Sequence, residues 1–332
     1  MSTNWKLFEG SDHDWDDLLK QLGQTCVYQA SNWAHHKSSA GWGPLRMVKN
    51  AATSQIAVQC LIRRGPFGTA LAWAPGGFGG DLDLVDNNFS ASLKNLLAAR
   101  FLYVRIGMMT AASDEMASIM SNSGFTKSKK PIGAKQSMLL KVHTDEEQML
   151  SLASNNWKRN HKRSLRSVSP PYAWNNASPD QLESAYRIMD EYKKVEGVKI
   201  QMSASDIRSV QHCFGSDLVL IRMDDEVGNL LSVRGALIQQ TIAWDFIAVT
   251  TPEGRKTYSS HRTLIALAQE CARRGCTTLE LGGIDPKNNK GVFDFKNGTG
   301  AKLITYLGEW ERSAPSGFHK LVSMVLARRI QQ

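Results

Sequence analysis

The feature that most constrains this 332-residue chain is a short apolar run that ends in two glycines and continues into a glycine-spaced segment. Residues 279–286 read Leu-Glu-Leu-Gly-Gly-Ile-Asp-Pro, and residues 291–300 read Gly-Val-Phe-Asp-Phe-Lys-Asn-Gly-Thr-Gly. The first run predicts a strand, and the glycines with Asp and Pro predict a loop at its carboxyl end. Because rigid scaffolds present chemistry on such loops, the aromatic, acidic and lysine side chains of residues 291–300 are the first candidates for a functional site.

The elements predicted around this loop indicate an α/β fold. A strand over 242–249, a helix from Ser259 and a strand over 277–281 form a strand–helix–strand unit, which places its functional loop at the carboxyl end of the second strand. Earlier in the chain the patterns predict strands over 45–48, 55–62 and 101–106 and helices over 14–22 and 91–99. A strand over 302–310 and a helix over 317–330 follow the motif. The length allows two domains.

Composition narrows the class of partner. The formal net charge of +9 favours an anionic partner, such as nucleic acid, a pyrophosphate-bearing metabolite or an acidic membrane surface. Five cysteines without a ligand-like spacing and eight scattered histidines predict no metal site and no cofactor. The chain has no apolar run near the length of a membrane span and no signal-peptide pattern, so we expect a cytoplasmic protein, with peripheral contact at the inner membrane face left open.

Two further segments are candidate anion sites. Residues 144–147 read Thr-Asp-Glu-Glu, a capping-box pattern that predicts one helix running through Trp157 to a basic end. That end carries Lys158, Arg159, Lys162, Arg163 and Arg166. It is either a solvated face or a polyanion contact. The glycine-rich run over 65–80 lacks the strand-to-helix context of a phosphate loop, so a turn with a strand is the simpler interpretation, although it stays a candidate binding segment.

The residues over 282–300 resemble the signature of the Fem (FemAB) aminoacyltransferases, which attach amino acids from aminoacyl-tRNA to peptidoglycan precursors of the cell wall. Weaker similarities follow in the family's order. Residues 29–37, Gln-Ala-Ser-Asn-Trp-Ala-His-His-Lys, are similar to its opening together with Gly41-Trp42, and Ser123-Gly124-Phe125 and the basic residues from Trp157 are similar to its middle part.

The resemblance implies two lobes, each with the fold of the GNAT N-acetyltransferases, a mixed β-sheet flanked by helices. The first lobe is expected over 1–147 plus 312–332, and the second, which carries both parts of the motif, over 148–311. Some family members insert a helical coiled-coil arm into the second lobe. This chain is too short and too interrupted by proline to contain one.

The resemblance also implies the site. Lys296, beside Phe295, is expected to stabilise the oxygen of the reacting carbonyl, and Asp294 and Asp285 are the candidates for a general base. Substrate-binding roles are implied for Gly282, Gly283, Asp285 and Gly298, and for Lys37 with Trp33, where the lysine would contact acceptor phosphates. Lys158, Arg159, Lys162 and Arg163 are expected to contact the tRNA. The family often has an acid in the first lobe where this chain has Arg105-Ile106-Gly107, so the base is open.

Two other functions stay open on sequence. An acyl-CoA-dependent N-acyltransferase acting on an amino sugar would need a small residue at the start of the helix from Ser259, and the chain has Tyr258 there. A non-catalytic RNA- or membrane-surface-binding protein would use the basic helix alone, and its binding would weaken steeply with salt. The expected function is aminoacyl transfer from tRNA to an amine of a phosphate-bearing cell-wall precursor, glycan or peptide.

Overall fold

A computed structural model describes residues 4–166, 169–175, 177–195, 204–316 and 322. Contacts divide the chain into two compact units, residues 1–135 with 305–332 and residues 136–304. The sequence boundaries were expected at 147/148 and 311/312. Residues 136–141 group with the second unit because they form a strand that pairs there with residues 278–283. Apart from residue 322, the helix expected over 317–330 lies outside the described residues.

The first unit begins with helices and a strand meander. Its elements in chain order are β1 (Lys6–Leu7), α1 (Asp12–Gln21), α2 (Ser31–Ser38), β2 (Gly43–Asn50), β3 (Gln55–Arg64), β4 (Thr69–Gly76), β5 (Gly79–Gly80), α3 (Asn88–Leu96), β6 (Phe101–Ala111), α4 (Asp114–Asn122) and β7 (Thr126–Lys127). The strands predicted over 45–48, 55–62 and 101–106 and the helices over 14–22 and 91–99 are confirmed, with ends that differ by a few residues.

The second unit follows the same scheme. Its elements are β8 (Gln136–Lys141), α5 (Glu146–Ser151), α6 (Asn155–Ser164), β9 (Tyr172–Ala173), α7 (Pro179–Val195), α8 (Ala204–Phe214), β10 (Leu218–Asp224), β11 (Leu230–Gln239), β12 (Ile242–Thr250), α9 (Pro252–Lys256), α10 (Ser259–Arg273), β13 (Thr278–Gly283) and α11 (Lys290–Asn297). The chain then continues into β14 (Lys302–Ala314), which pairs with β6 and β7 of the first unit.

Each unit contains a mixed sheet with one parallel pair among the pairings described. In the first, the order is β1-β2-β3-β4-β6-β14, and only β4 and β6 run parallel. In the second, the order is β8-β13-β12-β11-β10-β9, and β12 and β13 run parallel. In both, an antiparallel meander is followed by a helical crossover to a parallel strand. This common order of elements is a structural repeat that leaves no visible trace in the sequence.

Separate apolar cores hold the two units. The first packs α3 and α4 on the sheet, around fully buried side chains such as Phe89 and Ile106. The second packs α10 on β11, β12 and β13, through Leu264, Leu267 and Ala268. The apolar spacing of α10 therefore predicted its buried face correctly.

The glycine-rich run over 65–80 is a turn followed by strands, as the simpler interpretation held. Its glycines are required by packing. A Cβ atom at Gly77 would come within 2.4 Å of the Met108 sulfur, and one at Gly76 within 2.8 Å of the Cys26 sulfur. Both glycines also have positive φ angles, which disfavour any other residue.

Two predicted elements differ from the structure. The helix expected from Thr144 through Trp157 is two helices, α5 and α6, because Asp145 caps the first and Ser154 caps the second through their side-chain oxygens. The loop expected over 282–300 contains α11, with Asn289 accepting from the Val292 amide as its cap. Glycine and asparagine in the motif indicated a loop, but here they lie at the ends of a short helix.

Candidate functional site

Lys296 lies at the last turn of α11, buried to 8% exposure against the end of β13. Its Nζ donates to the Gly283 carbonyl at 2.9 Å and to the Gly282 carbonyl at 3.1 Å. Gly282 has φ of +75°, a conformation that strongly favours glycine. The paired glycines and the lysine, separated in sequence, are therefore one structural unit that fixes an ammonium group at a strand end.

A second, unpredicted pair of charges lies beside this lysine. Arg234 on β11 and Asp245 on β12 each have side chains only 8% exposed, and Arg234 Nη1 is 3.5 Å from both carboxylate oxygens. A Cβ atom at Gly282 would lie 3.5 Å from Lys296 Nζ and 4.0 Å from Asp245 Oδ2, so both groups border the same point on β13. The site thus contains two cations and a carboxylate with little access to water.

A β-bulge places Asp245 in this cluster. Gly235 pairs with Ile247 and Ala236 pairs with Asp245, so Phe246 is an extra residue on β12. A bulge changes the direction of the neighbouring side chains, and bulges are common beside active sites. A strand read from sequence alone has no such irregularity, and that is one reason the pair was missed.

Burial governs the protonation of these groups. It lowers the pKa of Lys296 below that of a free lysine. The negative charges of Asp245 and Glu280 oppose this shift, and the positive charge of Arg234 adds to it. Burial also raises the pKa of Asp245, against the attraction of Arg234 and Lys296. The lysine therefore gives up its proton more readily, and the carboxylate takes one more readily, than either would in water.

Glu280 and Ser137 hold the backbone that Lys296 contacts. Ser137 donates to a Glu280 carboxylate oxygen and, at 2.8 Å, to the Gly282 carbonyl. The Gly282 amide donates to the other Glu280 oxygen at 3.0 Å. Both side chains are buried, so a closed hydrogen-bond network fixes the turn that carries the two carbonyl acceptors.

Aromatic side chains pack against Phe295, the residue before Lys296 on α11. Phe295 lies edge-on to His261 at a ring separation of 5.0 Å, and Trp157 lies 4.8 Å from the same imidazole. Arg234 is also over the Phe295 ring, at 5.2 Å. Burial lowers the pKa of His261 to about 4, so this imidazole is neutral at pH 7 and acts as a packing partner of Phe295.

The basic residues of α6 lie on its outer side. Trp157 and His161 form the inner side of the helix, whereas Arg159, Lys162 and Arg163 are exposed and Lys158 is partly exposed. Arg163 donates to the Tyr258 hydroxyl at 3.1 Å. Tyr258 is the residue before α10 and has a left-handed backbone conformation. The Arg163 bond to its hydroxyl therefore places one exposed cation of α6 near the amino end of α10.

The remaining predicted residues fall in other places. Asp285 accepts from the Asn288 side-chain amide at 2.7 Å and from the backbone amides of Asn288 and Lys287, and these bonds close a turn and lower its pKa. Asp294 is exposed and pairs with Lys290. Neither carboxylate contacts Lys296 in the described hydrogen bonds. Lys37 and Trp33 lie on α2 of the first unit, where the Lys37 ammonium is 4.7 Å from the indole ring.

Gly298 and Gly300 serve packing. A Cβ atom at Gly298 would lie 2.8 Å from a ring carbon of Trp157, and one at Gly300 would lie 2.4 Å from the Leu152 carbonyl oxygen. Gly300 also has φ of +81°. These two glycines let the end of α11 approach α5 and α6, so the spacing of the motif has a structural cause in addition to any role toward a substrate.

Gly300→Ala should therefore lower the free energy of unfolding by about 2–4 kcal/mol, from the left-handed backbone and the clash together. Gly275→Ala is the matched control, because Gly275 has φ of +86° and nothing lies within 4 Å of its Cβ position. The control should lose only about 1 kcal/mol. Urea unfolding measures both, and equal losses would show that the contact with Leu152 carries no energy.

In the first unit, the position at which the Fem resemblance implies an acid lies beside a buried cation. Arg105 on β6 is 4% exposed and its Nε lies 2.8 Å from Glu309 Oε2. Glu311, 3.8 Å from the same guanidinium, accepts from the Tyr103 hydroxyl at 2.6 Å. The carboxylates of this network are on β14, far from Arg105 in sequence, so the residues around Arg105 gave no sign of them.

Among the described residues, no helix has the length and apolar character needed to cross a bilayer. No group of three or more His, Cys, Asp or Glu side chains in the described ranges is arranged to hold a metal ion. The five cysteines are free thiols.

Comparison with known proteins identifies the fold. The structure of FemX is similar at a TM-score of 0.80 with 14% identity, over 96% of this chain and 100% of that chain. A tandem GNAT protein from the clavulanic acid biosynthesis pathway gives 0.55 with 11% identity, over 94% and 98%. The C-terminal domain of a putative lysylphosphatidylglycerol synthetase from Agrobacterium fabrum gives 0.53 with 10% identity, over 95% and 98%.

These likenesses confirm the predicted architecture of GNAT-like lobes with mixed sheets and flanking helices. No protein-family model matches the chain, and no curated protein matches it in sequence. At these identities the similarity is one of fold.

Proposed function

We propose that the protein is an acyltransferase that moves an aminoacyl group from tRNA to an amine of a cell-wall precursor, glycan or peptide. The observation that carries the proposal is the buried ammonium of Lys296, tied to the carbonyls of Gly282 and Gly283. The fold shared with FemX supports it, as does the similar fold of a domain from a putative lysylphosphatidylglycerol synthetase.

The chemistry is aminolysis of an ester. The acceptor nitrogen forms a bond to the carbonyl carbon, negative charge develops on the carbonyl oxygen, and the bond to the ribose oxygen then breaks. The nitrogen loses a proton and the ribose oxygen gains one. A preorganised cation at the developing oxyanion is typically worth about 3–4 kcal/mol. Lys296 supplies this cation in the proposal, and two of its N–H bonds are already used to hold it in place.

In the proposal Phe295 positions the lysine and takes no part in proton transfer. Its ring packs against His261 and beneath Arg234, so these contacts hold the last turn of α11 in addition to the bonds from Lys296 to the β13 carbonyls. Asp294 is exposed and paired with Lys290, which makes it a poor base for this site. Asp245, with its raised pKa, is the better-placed carboxylate, although its first role is to balance the charges of Arg234 and Lys296.

The exposed cations of α6 are proposed to contact the phosphates of the tRNA. Arg159, Lys162 and Arg163 project from the side of the helix opposite Trp157, and Arg163 reaches the cap of α10 through Tyr258. In the first unit, Lys37 is proposed to contact phosphates of the acceptor. A donor of this kind places the reaction in the cytoplasm, and an acceptor linked to a lipid would bring the protein to the inner face of the membrane.

The test is transfer of radiolabelled amino acids from charged tRNA to candidate acceptors by purified protein, with acetyl-CoA as the competing donor. We expect a product with aminoacyl-tRNA. Transfer only from acetyl-CoA would overturn the proposal in favour of an N-acyltransferase. Salt-sensitive RNA binding without transfer from either donor would instead indicate a binding protein.

A further inference from the structure

The turn between β3 and β4 of the first unit exposes a phenylalanine. Phe67 is 86% exposed and lies between Pro66 and Gly68. Its φ of +57° is a conformation that aromatic residues rarely adopt. The ring therefore contributes nothing to the core, and the turn holds it outward at a cost in backbone energy.

This turn lies within a basic end of the sheet. Gly43 pairs with Ile62, Thr69 pairs with Phe101, and the Arg100 amide donates to the Gly68 carbonyl at 2.8 Å. Segments 39–45, 62–69 and 94–101 therefore meet there, and we call them together the hairpin face. They contain Arg63, Arg64, Lys94 and Arg100 and neither aspartate nor glutamate.

The arginines of the hairpin face contact aromatic rings and backbone carbonyls. Arg63 stacks on the Trp42 ring at 4.7 Å, Arg64 donates to the Leu97 carbonyl at 2.8 Å, and Arg100 lies 5.3 Å from the Phe101 ring. Within the residues that the structure describes, none of the three forms an ion pair. Leu96, at the same end, is 45% exposed. An apolar tip is thus surrounded by cations that are held in place.

The second unit has a comparable hairpin of opposite charge. Val227 is 83% exposed in the turn between β10 and β11. The three residues before it are Asp224, Asp225 and Glu226. An exposed apolar side chain on a turn is therefore not unusual in this protein. The hairpin face differs because the segments around its apolar residue contain arginine and lysine and neither aspartate nor glutamate.

We propose that the hairpin face docks on an anionic lipid bilayer, with the Phe67 ring entering the interface and the arginines contacting headgroup phosphates. The charge favours an acidic surface, and cations near such a surface each strengthen binding about fivefold. The apolar tip favours a bilayer over a nucleic-acid duplex, whose paired and stacked bases offer the ring no apolar layer. Unpaired bases can stack on an exposed ring, and competition with tRNA tests that case. This inference is independent of the proposed catalytic function, because binding is measured without substrate.

Flotation with vesicles tests it. Wild-type protein should float with vesicles of phosphatidylcholine and phosphatidylglycerol in equal amounts, and not with phosphatidylcholine alone. Phe67→Asn should lower the partition coefficient about tenfold, since a partly buried aromatic ring is lost. Asparagine accepts a left-handed backbone, so this variant should fold at least as well as the wild type. Arg63→Gln with Arg100→Gln should lower the coefficient about fivefold per charge.

Val227→Asn is the matched control and should bind vesicles as the wild type does. Failure of the wild type to bind anionic vesicles would overturn the proposal. Equal decreases of the partition coefficient in the Phe67 and Val227 variants would also overturn it, because binding would then not depend on the hairpin face. Binding that tRNA abolishes and that Phe67→Asn leaves unchanged would assign the face to nucleic acid instead.

Discussion

Replacing Lys296 by methionine should lower kcat about 10²- to 10³-fold while leaving KM for both substrates within a few-fold of the wild type. The charge would act on the oxyanion, which exists only in the transition state and the tetrahedral intermediate. Methionine keeps an apolar stem of similar length, so the space beside Phe295 stays filled. Single-turnover kinetics with charged tRNA would measure the chemical step directly.

Lys290→Met is the matched control for this prediction. Lys290 lies at the other end of the same helix, is 75% exposed in its side chain, and pairs with Asp294. Its replacement should change kcat by less than a few-fold. If Lys296→Met turned over at the wild-type rate, the catalytic assignment of the lysine would fail, and the fold and donor class would be unaffected.

Replacing Asp245 by asparagine should lower the free energy of unfolding by about 3 kcal/mol, at the lower end of what breaking a buried ion pair costs. The cost arises from Arg234 and Lys296, which stay buried without their shared counter-charge. Burial disfavours the ionised Asp245 carboxylate, as its raised pKa shows, and asparagine relieves that cost. The net loss is therefore the cost of leaving the two cations without a counter-charge, reduced by this relief, which places it at the lower end of the range.

The double variant Arg234→Met with Asp245→Leu is the control for that interpretation. It removes the pair as a whole, and apolar residues of similar size often replace a buried pair at little cost. We expect it to lose less stability than Asp245→Asn alone in urea unfolding. A double variant that lost the sum of two large single effects would show that the two side chains do not interact.

Asp245→Asn should also shift the pH profile of kcat. Lys296 must be protonated to act, and its pKa lies below the usual 10.5, so activity should decline with rising pH earlier than for an ordinary lysine. Asp245 raises that pKa, so Asp245→Asn should move the alkaline limb to lower pH. The sign for stability is opposite: between the folded and unfolded pKa values of Lys296 the unfolded chain binds more protons, so stability rises with pH there. An unmoved limb would exclude Lys296 as the titrating group.

Sequence patterns predicted the parts of this site that depend on residues close together in the chain. The strand ending at Gly283 and the candidate lysine could both be read from one segment, because apolar alternation, glycine pairs and an isolated cation are local features. Long-range geometry could not be read in this way. Arg234 and Asp245 meet through the pairing of β11 with β12 and through a one-residue bulge, and Glu280 reaches Ser137 across another strand pair.

A signal for these missed residues was nevertheless present in the sequence. Asp245 interrupts an apolar strand, and Arg234 and Glu280 do the same on the two strands beside it. Charged residues within buried strands are rarely tolerated without partners, so three of them on neighbouring strands indicate a cluster. The break between α5 and α6 also has a signal in the sequence, because Ser154 is a residue type that commonly caps a helix.

The helix that carries Lys296 is buried at its last turn and exposed at its start. Its last turn is held by the lysine and by the two tightly packed glycines that follow, whereas residues 285–291 before and at its start are exposed. The local bonds of Asp285 and Asn289 hold its exposed start, whereas its last turn is buried. Hydrogen exchange should therefore be faster before Val292 than at Lys296 and Thr299.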